Sequence, residues 1–140
     1  MSVGRICTRE VDLAETGESV QDAANRMGER RVGSLVVIDD DRSPVGIVTD
    51  RDIAIRVAGR GLDPAMTEVA AIMTELPESV REDTPIETAI RIMRSGPYRR
   101  LPVVDDQEHL LGLITLDDVL DLLCEEFEEI GELLRKEGPR

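Results

Sequence analysis

The chain is nearly without aromatic side chains, with one Phe, one Tyr and no Trp in 140 residues. Any flat ring bound here must be gripped by aliphatic walls, because aromatic stacking is almost missing. Histidine occurs once, at His109, and the two cysteines, Cys7 and Cys124, lie far apart without C-x-x-C spacing. That argues against zinc or dithiol redox chemistry and leaves two reduced, structural thiols. Positive charge is short as well, with 17 Lys and Arg against 30 Asp and Glu and a formal charge of −13. No basic strip interleaved with aromatics is present, so direct contact with nucleic acid is not expected. No stretch approaches the ~20 apolar residues needed to span a bilayer, and no basic segment followed by an apolar run opens the chain. A soluble cytoplasmic protein with no membrane partner is the expectation. Catalysis would need a nucleophile with its base, a metal cluster or two environmentally distinct carboxylates. One histidine, distant thiols and ordinary surface acids supply none of these, and an enzyme is not expected.

What the chain does have is a second copy of itself. Stepping forward by 66 positions takes Ile6-Cys7-Thr8 to Ile72-Met73-Thr74, and Gly46-Ile47-Val48-Thr49-Asp50-Arg51-Asp52 to Gly112-Leu113-Ile114-Thr115-Leu116-Asp117-Asp118, without a gap. The same offset pairs Ala23 with Ala89, Met27 with Met93, Leu35 with Leu101 and Val37 with Val103. An internal duplication of supersecondary units implies that each copy buries its apolar face against the other around a pseudo-two-fold axis. At 41% apolar residues, the 140-residue chain can supply one core made of two halves.

Period and punctuation give the elements. Thr84-Pro85-Ile86-Glu87 reads as a cap, a first-turn proline and an acid, and Ile86, Ala89, Ile90 and Met93 recur at helical spacing, which predicts a helix over 85–95. Gly96-Pro97 ends it, and the short apolar runs Leu101–Val104 and Leu111–Ile114 flank a polar turn from Asp105 to Glu108. The first copy repeats this order: a helix near 19–28 with Val20, Ala23, Ala24 and Met27 inward, then strands Leu35–Ile38 and Val45–Val48. Each copy enters a second helix, at Asp50 and at Leu116. Extended pieces around Ile6 and Ile72 complete β-α-β-β-α twice, joined by a connector whose Gly59–Gly61 turn precedes a helical turn at Met66–Ala70.

Two such copies, each opening at an Ile-x-Thr tripeptide and each closing on Gly-x-x-Thr-x-x-Asp, resemble a tandem cystathionine β-synthase (CBS) domain pair, or Bateman module. The resemblance implies an α+β fold of two β-α-β-β-α repeats, with small three-stranded sheets packed on helices. The expected division is repeat 1 at 5–60, a connector at 61–71, repeat 2 at 72–125 and a C-terminal helical extension at 126–140. It further implies a sensor rather than a catalyst, one that requires no cofactor. AMP, ADP, ATP or S-adenosylmethionine would enter as ligands in up to two clefts between the halves.

The residues of the motif supply a chemistry for such a ligand. Gly46 and Gly112 allow backbone or ligand to approach closely. Thr49 and Thr115 stand where a strand yields to a helix, a place that favours a phosphate oxygen. Asp52 and Asp118, three residues on, offer acceptors for two ribose hydroxyls. Base recognition falls to aliphatic walls and backbone, with Val11 and Pro77 as candidates. The same Thr-x-x-Asp is also a capping box that needs no ligand, so a ligand-free interaction module is the alternative reading.

Counter-charge differs between the copies. Tyr98-Arg99-Arg100 precedes the inner strand of the second copy, where the resemblance implies phosphate contact, and the first copy has Val32-Gly33-Ser34 there. The second cleft is therefore expected to be the better equipped, with Arg51 as a further candidate from the first motif. Beyond Asp118, residues Leu116, Val119, Leu120, Leu123, Phe127, Ile130 and Leu134 keep helical spacing over about 116–135, with Glu125, Glu126, Glu128, Glu129 and Glu132 mostly away from them. That stripe either folds back on its own module or meets another subunit or a regulated protein. A homodimer contact is the favoured expectation. With no second domain in the sequence, a regulated activity is expected on another polypeptide.

Overall fold

The structure is a computed structural model that describes residues 1–76, 78–96 and 99–138. After a 3-10 turn at Val3–Arg5 come β1 (Leu13–Glu15), α1 (Val20–Arg30), β2 (Ser34–Ile38), β3 (Pro44–Thr49) and α2 (Asp50–Ile53), which continues as a π-helical turn over Ala54–Ala58. Then follow α3 (Val69–Ile72), β4 (Thr74–Glu75), β5 (Val80–Arg81), α4 (Ile86–Ser95), β6 (Arg100–Val104), β7 (Leu110–Thr115) and α5 (Leu116–Glu137).

Local chemistry sets most boundaries. Ser19 caps α1 by accepting from the Asp22 N–H at 3.1 Å, and the helix buries Val20, Ala23 and Met27. Thr84 does not cap α4 in the same way. Pro85 itself stands in extended conformation at the cap position, the place that Ser19 takes in the first copy. The Thr84 hydroxyl instead accepts from the Arg81 N–H at 2.9 Å and closes the preceding turn. Ile90, expected inward, is exposed, and α4 buries Ile86, Ala89 and Met93. The hairpin turns are duplicates: Asp39 Oδ1 accepts from the N–H groups of Asp41 and Ser43, and Asp105 Oδ1 from those of Gln107 and His109.

The first sheet has four strands, in the order β1-β2-β3-β4, and the second has three, β5-β6-β7. The fourth strand is a consequence of exchange between the copies. The opening segment of each copy packs into the other copy's half: Val3, Ile6 and Cys7 join the core with Leu101, Val103 and Ile114, whereas Val69, Ile72 and Met73 join the core with Leu35, Val37 and Val48. Hydrogen bonds repeat the exchange at the 66-residue offset. Val69 donates to Glu18 O as Val3 donates to Thr84 O, and Ala70 donates to Thr16 O as Gly4 donates to Glu82 O. These openers were expected to be extended around Ile6 and Ile72. They are turns of helix instead, closed by Ile6 and Cys7 donating to Val3 O and by Met73 donating to Val69 O. Extended pairing flanks each turn, with the bridges Ser2–Pro85 and Glu68–Ser19 before it and pairing from Thr8 and Thr74 after it.

Each sheet is therefore covered on both faces, which explains the continuous apolar runs of β2 and β6. Leu35 and Val37 face the helices, while Val36 and Ile38 turn the other way. They meet Ile47, Leu76, Leu110 and Leu113 in a third cluster that joins the halves. Burial of aliphatic groups of this size is worth about 1.5–3 kcal/mol each, so the seam between the halves is a second core and not a loose contact. The clefts lie along its rims.

α5 outruns its counterpart and does not fold back. Val119 is its buried anchor, and Leu120, Leu123, Phe127, Ile130 and Leu134 are exposed. No helix among the described residues is long and apolar enough to cross a membrane.

Candidate functional site: two clefts between the repeats

Both Gly-x-x-Thr-x-x-Asp motifs sit where an inner strand ends and a helix begins. Thr49 Oγ1 accepts from the Asp52 N–H at 3.1 Å, and Asp52 Oδ2 accepts from the Thr49 N–H at 3.0 Å. Thr115 and Asp118 repeat the exchange at 3.1 and 2.9 Å. Both are complete capping boxes, so each pair is rigid before anything binds. One oxygen of each carboxylate remains outside this exchange.

The glycines of the motif are used by the protein itself. A Cβ on Gly46 would stand 2.9 Å from Thr74 O and 2.5 Å from Met73 Sδ, and one on Gly112 would stand 2.7 Å from Thr8 O and 3.2 Å from Cys7 Sγ. The space that a side chain would take is filled by the exchanged opener of the other copy. Gly46 and Gly112 thereby set the position of Thr74 and Thr8 beside the two motifs.

Two clefts result. The first has about 490 Å³ of open space and is lined by Ile47, Thr49, Asp52, Thr74, Leu76, Arg99 and Arg100. The second, of about 460 Å³, is lined by Thr8, Glu10, Val11, Asp12, Val32, Ser34, Val36 and Leu113. The 66-residue offset carries Ile47 to Leu113, Thr74 to Thr8, Leu76 to Glu10 and Arg100 to Ser34, so these are pseudo-symmetric counterparts of nearly equal size. They differ in charge. The first holds two arginines and one carboxylate on its walls, whereas the described walls of the second hold two carboxylates, of which Asp12 is paired with Arg30 at 2.8 Å, and no arginine.

Arg99 and Arg100 thus face the motif of the first copy rather than only their own. Arg100 opens β6 and pairs with Thr115, yet it lines the cleft of Thr49 and Asp52. The same two arginines also line a hollow of about 690 Å³ with Thr115, Leu116 and Asp117. Arg51 is exposed and lines neither cleft. Val11 is on the wall of the second cleft, and Pro77 lies outside the described residues, as do Pro97 and Tyr98.

A family profile for the CBS domain matches the chain twice, over residues 3–59 and 69–125. The chain belongs to the CBS domain family. A protein of Methanopyrus kandleri, MK0525, is 34% identical over 87% of this chain and 62% of its own length. A 17.7 kDa protein of Acidianus ambivalens is 32% identical over 97% of this chain and 84% of its own. Among solved structures, the CBS-pair protein CBSX2 from Arabidopsis thaliana superposes with a TM-score of 0.77 at 31% identity, over 91% of this chain and 96% of that one. CBSX2 in complex with AMP superposes with a TM-score of 0.76 at 30% identity, over 89% and 97% of the two chains. The chain thus spans a little under two thirds of the Methanopyrus relative and nearly all of CBSX2.

Within this CBS pair, the sequence reading missed the wall residues Thr8, Thr74, Leu76, Glu10 and Asp12, and Arg56 behind the wall. Thr8 and Thr74 close the two openers, and the offset alone would have paired them, but nothing in periodicity tells which half an opener joins. Arg56 lies behind the first cleft, with Nη1 donating to Ile72 O at 2.9 Å and to Thr74 Oγ1 at 3.3 Å, and with Nη2 3.8 Å from Asp52. Its counterpart is Leu122, and there Thr8 Oγ1 donates directly to Asp118 Oδ1 at 3.5 Å. Beside Gly112, burial pushes the Cys7 thiol up, and Arg9 partly pulls it back. Among the described residues no cluster of His, Cys, Asp and Glu could hold a metal ion.

Proposed function

We propose that this CBS pair is a regulatory module that binds an adenosine-containing ligand in the cleft of Thr49, Asp52, Arg99 and Arg100. The observation that carries the reading is the meeting of both arginines with the first motif across the seam. An aliphatic wall from Ile47 and Leu76 fits an adenine face, the free oxygen of Asp52 fits ribose hydroxyls, and the guanidinium groups fit phosphate. The complex of CBSX2 with AMP supports the choice of ligand class. The second cleft, with Glu10 and Asp12 on its walls, is suited to a nucleoside moiety of low negative charge. Because both clefts lie along the seam, occupancy changes the rigidity between the halves, and a partner protein or an attached domain reads that change.

A ligand-free interaction module is the second reading, favoured by the completeness of both capping boxes without a ligand. Titration calorimetry with AMP, ADP, ATP, S-adenosylmethionine and adenosine decides between them. Arg100→Ala leaves the caps intact and is expected to weaken AMP binding by about 10- to 100-fold, the worth of a charge-assisted contact, while adenosine binding is unchanged. A panel silent toward every adenosine compound would reject the first reading.

A further inference from the structure

We propose that the hollow beside the second motif is an anion subsite, which takes the terminal phosphates of a nucleotide whose adenosine lies in the first cleft. This rests on the proposed function of that cleft and narrows it, from adenosine compounds in general to a nucleoside di- or triphosphate in preference to AMP.

Arg99 and Arg100 are common to both spaces. They line the first cleft with Thr49 and Asp52, and they line the hollow of about 690 Å³ with Thr115, Leu116 and Asp117. A phosphate at the two guanidinium groups therefore borders the hollow, and further phosphates on the same chain have a space to enter. Both arginines are exposed, and neither is in an ion pair among the described residues. Asp117 is the one carboxylate on the described wall of the hollow, against two guanidinium groups, so the local balance favours an anion. The acidity of the whole chain counts for less at this range, because salt screens charges beyond about 8 Å.

The first copy shows what the hollow replaces. The 66-residue offset carries Arg99 and Arg100 to Gly33 and Ser34, and Leu116 and Asp117 to Asp50 and Arg51. The backbone is the same in both places: Asp50 donates to Gly33 O at 3.0 Å and Leu116 donates to Arg99 O at 2.9 Å. The side chains are not. Asp50 lays its carboxylate on Gly33, with Oδ2 3.1 Å from where a Cβ on the glycine would stand, and its Oδ1 accepts from the Arg51 N–H at 2.8 Å. The first copy thus carries its own anion at this position. In the second copy Leu116 stands in place of that carboxylate, and no acceptor among the described residues takes the Asp117 N–H. Two guanidinium groups stand where the first copy has a glycine and a serine. A negative group that one copy builds in is left for a ligand to supply in the other.

Titration calorimetry on the full chain with AMP, ADP and ATP, in about 0.15 M salt, tests this. ATP is expected to bind about 10- to 100-fold tighter than AMP, with ADP between them. Leu116→Asp restores the carboxylate of the first copy and is expected to cut the advantage of ATP to less than about threefold, whereas Leu116→Asn, of the same size without the charge, keeps it. Asp117→Asn is expected to enlarge it. An acid is favoured in the first turn of a helix, so Leu116→Asp is expected to fold, and a melting curve checks this. AMP bound as tightly as ATP overturns the subsite. So does an advantage that survives Leu116→Asp, is lost equally in Leu116→Asn, or does not grow in Asp117→Asn. Each of those results leaves adenosine binding in the first cleft standing, whereas silence toward all three nucleotides overturns both.

Discussion

Gly112 faces the carbonyl oxygen of Thr8, so closely that a Cβ on the glycine would stand 2.7 Å from it. That carbonyl cannot retreat, because Leu113 donates to it at 2.8 Å while Thr8 donates back to Leu113 O at 2.9 Å. Gly112→Ala is therefore expected to cost about 1–3 kcal/mol, a fall in melting temperature of about 4–10 °C. Gly46→Ala should behave alike through Thr74 O. Gly28 is the contrast: it lies inside α1 with nothing within 4 Å of its missing Cβ, and Gly28→Ala should raise stability by about 0.5–1 kcal/mol. Thermal denaturation of the three variants checks the ordering, and a Gly112→Ala protein as stable as wild type would refute the close approach.

Arg56 concerns the first cleft and not the second. It braces Asp52 and Thr74, whereas Leu122 leaves Thr8 and Asp118 to bond each other. Arg56→Leu is expected to let Thr74 turn onto Asp52 and occupy its free oxygen. The loss expected in AMP affinity is about 5- to 30-fold, equivalent to 1–2 kcal/mol, and the adenosine affinity should fall with it because the change is at the ribose end. Calorimetry beside a melting curve separates the roles. A lower melting temperature with unaltered affinities would show that Arg56 serves the fold alone.

The duplication was legible because it is a relation within the sequence, and it placed Thr49 with Thr115 and Asp52 with Asp118 before any coordinates. Apolar runs and caps likewise located α1, β2, β3, β6, β7 and α5 to within a residue or two. What could not be read was the first strand of each copy, which lies at Leu13–Glu15 and Val80–Arg81 and not around Ile6 and Ile72, and which half each opener joins. Val3 and Val69 have the same pattern whether they pack at home or across the axis, and the choice is made by backbone donors to Thr84 O and Glu18 O that any residue type could supply. Arg99 and Arg100 show the same blindness. They precede the second copy's inner strand in sequence and line a hollow with Thr115, and the seam presents them to the first copy's motif as well. Thr84 lies one residue too early to be the cap: the counterpart of Ser19 is Pro85, and the Thr84 hydroxyl closes the preceding turn instead.

Asp105 gives the second hairpin turn a dependence on pH. The N–H groups of His109 and Gln107 donate to its carboxylate and hold it below the usual carboxylate range. A group depressed on folding contributes stability above its unfolded value of about 3.9, and that contribution is lost as pH falls through the lower folded value. Asp105→Ala should thus melt below wild type at pH 7, and the gap between the two should narrow from about pH 4 downward. A gap that does not narrow as pH falls would mean that the turn does not depend on ionised Asp105.

Arg31 ends α1 in the left-handed region, at φ 55 and ψ 45, with its N–H donating to Met27 O. A side chain with a Cβ pays about 1–2 kcal/mol for that conformation, and glycine pays almost none. The residue is exposed, and no ion pair involving it occurs among the described residues, so its side chain offers little in return. Arg31→Gly is expected to stabilise the fold by about 0.5–1 kcal/mol, less than the full relief because glycine also loosens the unfolded chain. The measurement is the urea midpoint at constant slope. A lower midpoint would mean that Arg31 makes a favourable long-range interaction with the acidic surface strong enough to outweigh its strain, and Arg31→Asn, which tolerates the left-handed region without the charge, would then fall as well.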